Sequence, residues 1–111
     1  MLNPDFREFL QSLNANGVRY LVVGGYAVAY YGHPRYTKDL DVWVEMSLRN
    51  AEGICAALEQ FGFGSLDLSP ADFLQANQVI QLGYPPARID ILMQADGVSF
   101  AECYAARVPV D

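Results

Sequence analysis

The sequence predicts one α+β domain, a small mixed β-sheet flanked by helices. Its 111 residues are enough for one core and too few for two. Helical and strand periodicities alternate along them: helix, strand, helix, strand, helix, then a short helix, a hairpin and a terminal helix. The composition, 52% hydrophobic and 18% charged, is that of a folded chain rather than a disordered one.

Each element has a local reason. Asn3-Pro4 caps a first helix and puts proline at its first position, with Asp5 and Glu8 near the positive end of the dipole. Phe6, Phe9, Leu10 and Leu13 recur at helical spacing until Gly17 stops the run. Residues 20–23, Tyr-Leu-Val-Val, form a continuous apolar stretch of the kind found in interior strands. Gly24-Gly25 breaks it, and 26–31 reads as a short apolar helix ended by Gly32 and Pro34. Residues 39–45 then alternate as a strand. Leu40, Val42 and Val44 point one way, and Asp39, Asp41, Trp43 and Glu45 the other. Ser47 can cap a long helix with an apolar face of Ala51, Ile54, Cys55, Leu58 and Phe61, stopped by Gly62. Ser69-Pro70-Ala71-Asp72 resembles a capping box opening a short helix. Residues 78–84 and 88–93 look like antiparallel strands joined through Pro85-Pro86. Asp96-Gly97 is a turn, and 99–107 a last helix.

Several function classes are disfavoured at once. No apolar run approaches the roughly 20 residues that cross a bilayer. The opening Met1-Leu2-Asn3-Pro4-Asp5-Phe6 lacks the basic and apolar regions of a signal peptide, so a cytoplasmic protein without a membrane partner is expected. Cys55 and Cys103, far apart within apolar helical patterns, read as two buried thiols in a reducing compartment. A net charge of −6 argues against a broad grip on nucleic acid, but not against a small basic pocket for a nucleotide triphosphate.

The chemistry-bearing residues begin with Asp39 and Asp41. Two apart on a strand, they project from one face, roughly 7 Å apart along the chain. Like charges so placed repel and resist ionising together unless a cation lies between them. Hard divalent ions prefer carboxylate oxygens and leave positions for water and phosphate. The pair is thus a platform for metal-assisted phosphoryl or nucleotidyl transfer. Taken alone, two acids on a solvated strand edge are the commoner explanation.

Gly24-Gly25 shifts that balance. Two glycines between a strand and a helix leave bare backbone, which lets a phosphate approach the N–H groups of a helix N-terminus. The helix that follows leads through His33-Pro34-Arg35 to the strand with the acids, so cradle and platform become neighbours. Asp90 is the third element, placed with Arg88 and Leu92 opposite Ile89, Ile91 and Met93. An acid in so apolar a strand is costly unless it is paired or solvated at a site. It is either a salt-bridge partner of Arg35, Arg88 or Lys38, or a third carboxylate that completes a metal site and helps deprotonate an attacking hydroxyl.

These residues resemble the nucleotidyltransferase superfamily that includes DNA polymerase β. Its motif of glycine turn, short helix, Asp-x-Asp strand and later strand Asp reads here as Val23-Gly24-Gly25-Tyr26, Asp39-Leu40-Asp41-Val42 and Asp90. The stretch Arg35-Tyr36-Thr37-Lys38-Asp39-Leu40-Asp41 is similar to the small AbiEii and MNT-type nucleotidyltransferases of toxin–antitoxin and phage-defence systems. The closing stretch from Phe100 to Val108 also fits that group. The resemblance implies two Mg²⁺ ions, with Mn²⁺ as a substitute, and transfer of NMP from an NTP, ATP foremost, to a hydroxyl with loss of pyrophosphate. It implies that Asp39 and Asp41 bind both ions and Asp90 one, and that Gly24 and Gly25 hold the triphosphate. Arg35, Thr37 and Lys38 become candidate phosphate or substrate contacts. His33 is a turn residue in this reading. Trp43 and Tyr36 are packing residues first and base-stacking residues second.

Such proteins usually continue into a further strand and a lysine-bearing helix, whereas this sequence stops at Asp111. A shortened domain is therefore expected, with weakened nucleotide affinity and an apolar edge open to self-association or a partner protein. The rival to an enzyme is a binding module of the same fold that has lost catalysis, an antitoxin-like or regulatory partner. RNA ends, protein side chains and small molecules are the candidate hydroxyl acceptors.

Overall fold

The computed structural model describes residues 4–23, 39–62, 67–83, 88–95 and 97–107. The helix expected over 26–31 and the Pro85-Pro86 link lie outside them. Helix α1 (Pro4–Ala15) starts on its proline and buries Phe6, Phe9 and Leu13. Gly17, at φ +67°, turns the chain toward β1 (Tyr20–Val23). After β2 (Asp39–Val44), helix α2 runs from Leu48 to Phe61. The Ser47 hydroxyl caps it by accepting the Asn50 N–H at 3.2 Å. A 3₁₀ turn (Pro70–Phe73) opens with the expected Ser69–Asp72 capping box, in which the Ser69 N–H donates to Asp72 Oδ2 at 2.8 Å. Strands β3 (Val79–Leu82) and β4 (Arg88–Leu92) and helix α3 (Phe100–Ala105) follow. The last helix is shorter than the expected 99–107.

The sheet runs β1-β2-β4-β3. Its outer pairs are antiparallel and its central β2–β4 pair parallel, which makes it the mixed sheet expected. One face is the core. Leu40, Val42 and Val44 of β2, Ile89 and Ile91 of β4, and Ile80 and Leu82 of β3 join α1, α2 and Phe73 in a single apolar cluster. Burying each such side chain stabilises the fold by roughly 1.5–3 kcal/mol. Between the helices, Phe9 and Phe61 meet edge to face at 5.5 Å, and the Ser12 hydroxyl donates to the Ala57 carbonyl at 3.1 Å.

Helix α3 packs on one end of the second face. Trp43 projects there, is 3% exposed, and packs edge to face on Phe100 of α3 at 5.3 Å. Phe100 in turn stacks on Tyr104, over whose ring the Arg107 guanidinium lies at 3.7 Å. Trp43 is thus a packing residue, too enclosed to stack on a base. The two cysteines depart from expectation. Both are half-buried free thiols, because Cys55 lies at the margin of α2's apolar face and α3 fully buries none of its side chains. No helix among the described residues is long and apolar enough to cross a membrane.

Candidate functional site

The alternation that buries Leu40, Val42 and Val44 sends Asp41 and Trp43 to the second face of the sheet. On β4 the same rule turns Ile89 and Ile91 inward and Arg88, Asp90 and Leu92 outward. Register then decides who meets whom. In the parallel pair Asp41 stands opposite Asp90, and Asp39 opposite Arg88. In the antiparallel pair Asp41 stands opposite Val23, the residue that precedes Gly24 in the chain. Neighbouring strands are about 4.8 Å apart, so two carboxylates leave one face of the sheet side by side.

Their environments differ. Asp90 is only 8% exposed, while Asp41 is half-buried. Arg88, two residues earlier on the same strand and face, spans the Asp90 carboxylate. Its Nη2 donates to Oδ2 at 3.3 Å, and its Nε lies 3.2 Å from Oδ1. That second contact is close enough for an ion pair but lacks hydrogen-bond alignment. Asp90 Oδ1 is fully enclosed and makes no aligned hydrogen bond among the described residues. The Arg88 guanidinium therefore spans Asp90, with Asp41 at the adjacent register position. No protein-family model, curated protein or solved structure matches the chain.

The structure brings together two of the three expected acids, Asp41 and Asp90. The backbone of Asp39 occupies the adjoining same-face position on β2. Gly24, Gly25, Arg35, Thr37 and Lys38 lie outside the described residues. Among the described residues no group of three or more His, Cys, Asp or Glu side chains is placed to hold a metal ion. Asp41 and Asp90 nevertheless fit part of a hard-cation site. Both offer carboxylate oxygens from adjacent strands, and Asp90 keeps one buried oxygen without an aligned donor.

Two features escaped the sequence reading. One is which of three cations pairs with Asp90; the spacing Arg88-x-Asp90 on one strand, which puts both side chains on one face, is the signal that selects Arg88. The other is Asn50, a 5% exposed polar residue at the start of α2. It borders a cleft of about 300 Å³ with Gly17, Arg19, Glu45, Ser47 and Arg49, at the end of β2 remote from Asp39. The Arg19–Glu45 pair at 3.4 Å crosses that region.

Proposed function

We propose that this protein is a cytoplasmic, metal-dependent nucleotidyltransferase that moves an NMP from an NTP, ATP foremost, to a hydroxyl acceptor and releases pyrophosphate. The observation that carries the reading is the register of Asp41 on Asp90, with an enclosed Asp90 oxygen lacking an aligned donor. Asp41 and Asp90, with Asp39, would hold Mg²⁺ or Mn²⁺. Such ions supply neutralisation of phosphate charge and a lowered pKa for a bound hydroxyl. The chain's own groups do the rest. Gly24 and Gly25, directly after Val23, would receive the triphosphate on bare backbone, with Arg35, Thr37 and Lys38 as phosphate or substrate contacts. Asp90 would take the proton of the attacking hydroxyl. The small AbiEii and MNT-type systems supply the biological setting, a toxin–antitoxin or defence role.

The competing reading is a binding module of the same fold. It draws on the Arg88–Asp90 pair, which offsets one acid without any ion. Two measurements separate them. Melting curves with Mg²⁺ plus each NTP should show a rise for at least one nucleotide, since a ligand of the folded state stabilises it. Label transfer from NTP into cell extract should then occur with wild type and fall at least a hundredfold with Asp41→Ala. Equal labelling by both proteins would remove the acids from the mechanism. No melting shift and no labelling would leave the binding module.

A further inference from the structure

Three of the chain's seven basic residues gather on one patch of an otherwise acidic molecule. Arg19 and Arg49 line the cleft of about 300 Å³ beyond the end of β2. Arg107 joins them through Tyr104, whose ring lies 3.7 Å from the Arg107 guanidinium and 5.9 Å from that of Arg19. Those two guanidiniums are thus within one Debye length of each other, about 10 Å at moderate salt. We propose that the cleft is a phosphate-binding site, which takes the phosphomonoester group of a small molecule between Arg19 and Arg49. It lies at the end of β2 remote from Asp39 and needs neither the acids nor a cation.

Glu45 is the acid that lines this cleft. It meets Arg19 Nη1 at 3.4 Å and accepts the Ser47 hydroxyl at 3.4 Å. Arg49 is exposed and has no acidic partner among the described residues. Arg107 has none there either, and its Nη1 donates to the Tyr104 carbonyl at 2.7 Å. Single exposed arginines are ordinary. Three around one concavity, in a chain of net charge −6, concentrate positive potential where the field is focused.

Local structure does not account for Arg49. It occupies the second position of α2, whose first turn holds no acidic residue. A cation there opposes the helix dipole. The N–H groups of Leu48 and Arg49 also lack acceptors among the described residues, since the Ser47 hydroxyl serves Asn50 and its carbonyl serves Ala51. An anion in the cleft would offset the charge of Arg49 and the dipole together.

Donor placement selects phosphate over carboxylate. A planar carboxylate is satisfied by one guanidinium fork, whereas phosphate spreads its oxygens in several directions. Here the donors come from separate elements: Arg19 from the start of β1, Ser47 and Arg49 from the start of α2. Gly17 adds bare backbone to the wall, with nothing within 4 Å of the place a Cβ would take. The volume is at the lower end of the range of roughly 300–1,000 Å³ for small-molecule sites, so a sugar-sized body fits beside the phosphate.

The test is calorimetric titration with ribose 5-phosphate, inorganic phosphate and ribose, at fixed ionic strength and in EDTA, so that no divalent cation links phosphate to Asp41 or Asp90. Wild type should bind ribose 5-phosphate, bind inorganic phosphate more weakly, and not bind ribose. Arg19→Gln and Arg49→Gln should each weaken ribose 5-phosphate about tenfold, as expected for one lost charge-assisted contact. Arg7→Gln removes an exposed cation of α1 and should change binding less than about twofold, which separates the site from net charge. Glu45→Gln removes the acid from the cleft and should tighten binding about threefold, a gain that a misfolded variant does not give. The site is overturned if wild type binds neither phosphate, if Arg7→Gln loses as much as Arg49→Gln, or if Glu45→Gln fails to bind more tightly. Tighter binding of hexaglutamate than of ribose 5-phosphate would overturn phosphate as the ligand. None of these results bears on the nucleotidyltransferase reading, whose site requires a cation.

Discussion

Asn50 is the residue on which the β1–β2 register is most open to test. Its side chain is nearly enclosed and meets three backbone groups. Oδ1 accepts the Arg19 N–H at 2.7 Å, and Nδ2 donates to the carbonyls of Arg19 at 3.1 Å and Glu45 at 2.8 Å. Arg19 directly precedes β1 and Glu45 directly follows β2, so one amide from α2 clamps the far end of the strand pair that sets Val23 opposite Asp41. Asn50→Ala removes all three bonds. The Arg19 carbonyl keeps the Glu45 N–H at 3.1 Å, which leaves the Arg19 N–H and the Glu45 carbonyl unmet. At about 1–3 kcal/mol for each partly buried group so stranded, the cost is about 2–6 kcal/mol. For a domain of this size about 4 °C accompanies each kcal/mol, so the melting temperature should fall by about 8–24 °C.

Asn50→Asp sharpens the test. A carboxylate still accepts from Arg19 but faces two carbonyl oxygens, which raises its pKa in the folded state. A group with a raised folded pKa keeps its contribution below its unfolded pKa, about 3.9 for Asp, and loses it as pH rises through the folded value. The loss relative to wild type should therefore be larger at pH 7 than near pH 4. Circular dichroism melts at both pH values read the outcome. A fall under about 3 °C for Asn50→Ala, or a pH-independent loss for Asn50→Asp, would refute the clamp.

Three further expectations follow from the packing. A Cβ at Gly53 would meet the Asn16 carbonyl oxygen at 3.0 Å and Val18 Cγ2 at 3.1 Å. Gly53→Ala should therefore lose about 1 kcal/mol in urea unfolding despite alanine's helix propensity, and a gain would show that α2 stands further from that turn. Trp43 buries an indole N–H without a partner among the described residues. Trp43→Phe, which keeps the contact with Phe100, should stay within about 1 kcal/mol of wild type, whereas Trp43→Ala should cost about 3–5 kcal/mol; a large loss with phenylalanine would reveal a partner for the N–H. Burial, then the nearby Asp72, pushes the Cys55 thiol up. Burial also raises the Tyr20 hydroxyl, aided by Tyr104 and opposed by a hydrogen bond with Asn14. Both raised groups contribute fully below their unfolded pKa values and lose that contribution as pH rises through the folded ones, so the urea midpoint should fall above about pH 9 and fall less in Cys55→Ala.

Much of the fold was legible because its signals are local. Pro4, Ser47, Gly62 and the Ser69–Asp72 box mark element ends through backbone groups within a few residues of them. The two faces of β2 and β4 were equally plain, since alternation needs no partner strand. What was not legible is tertiary. The outward-facing Trp43 reads from its strand as a polar-face residue, and only α3, more than fifty positions later, explains its burial. Asn50 looks like any early helix residue until Arg19 and Glu45 are brought to it. Asp41, Asp90 and Arg88 were visible as residues, but the Asp41–Asp90 juxtaposition depends on a parallel pairing that no local pattern encodes.

The core itself holds these acids together against their repulsion. Two carboxylates about 5 Å apart at an effective dielectric of about 20 repel by roughly 3 kcal/mol. Sliding β4 by one residue would relieve that contact, but it would also turn Ile89, Ile91 and Met93, all nearly enclosed, out of the core. At roughly 1.5–3 kcal/mol each, the slip costs about 5–9 kcal/mol before Asp90 is counted among the apolar side chains it would join. Packing therefore wins, and the register that buries the isoleucines obliges Asp90 to stand beside Asp41. The fold therefore fixes the place on the sheet where the charge of these acids has to be met, and at Asp90 it is Arg88 that meets it.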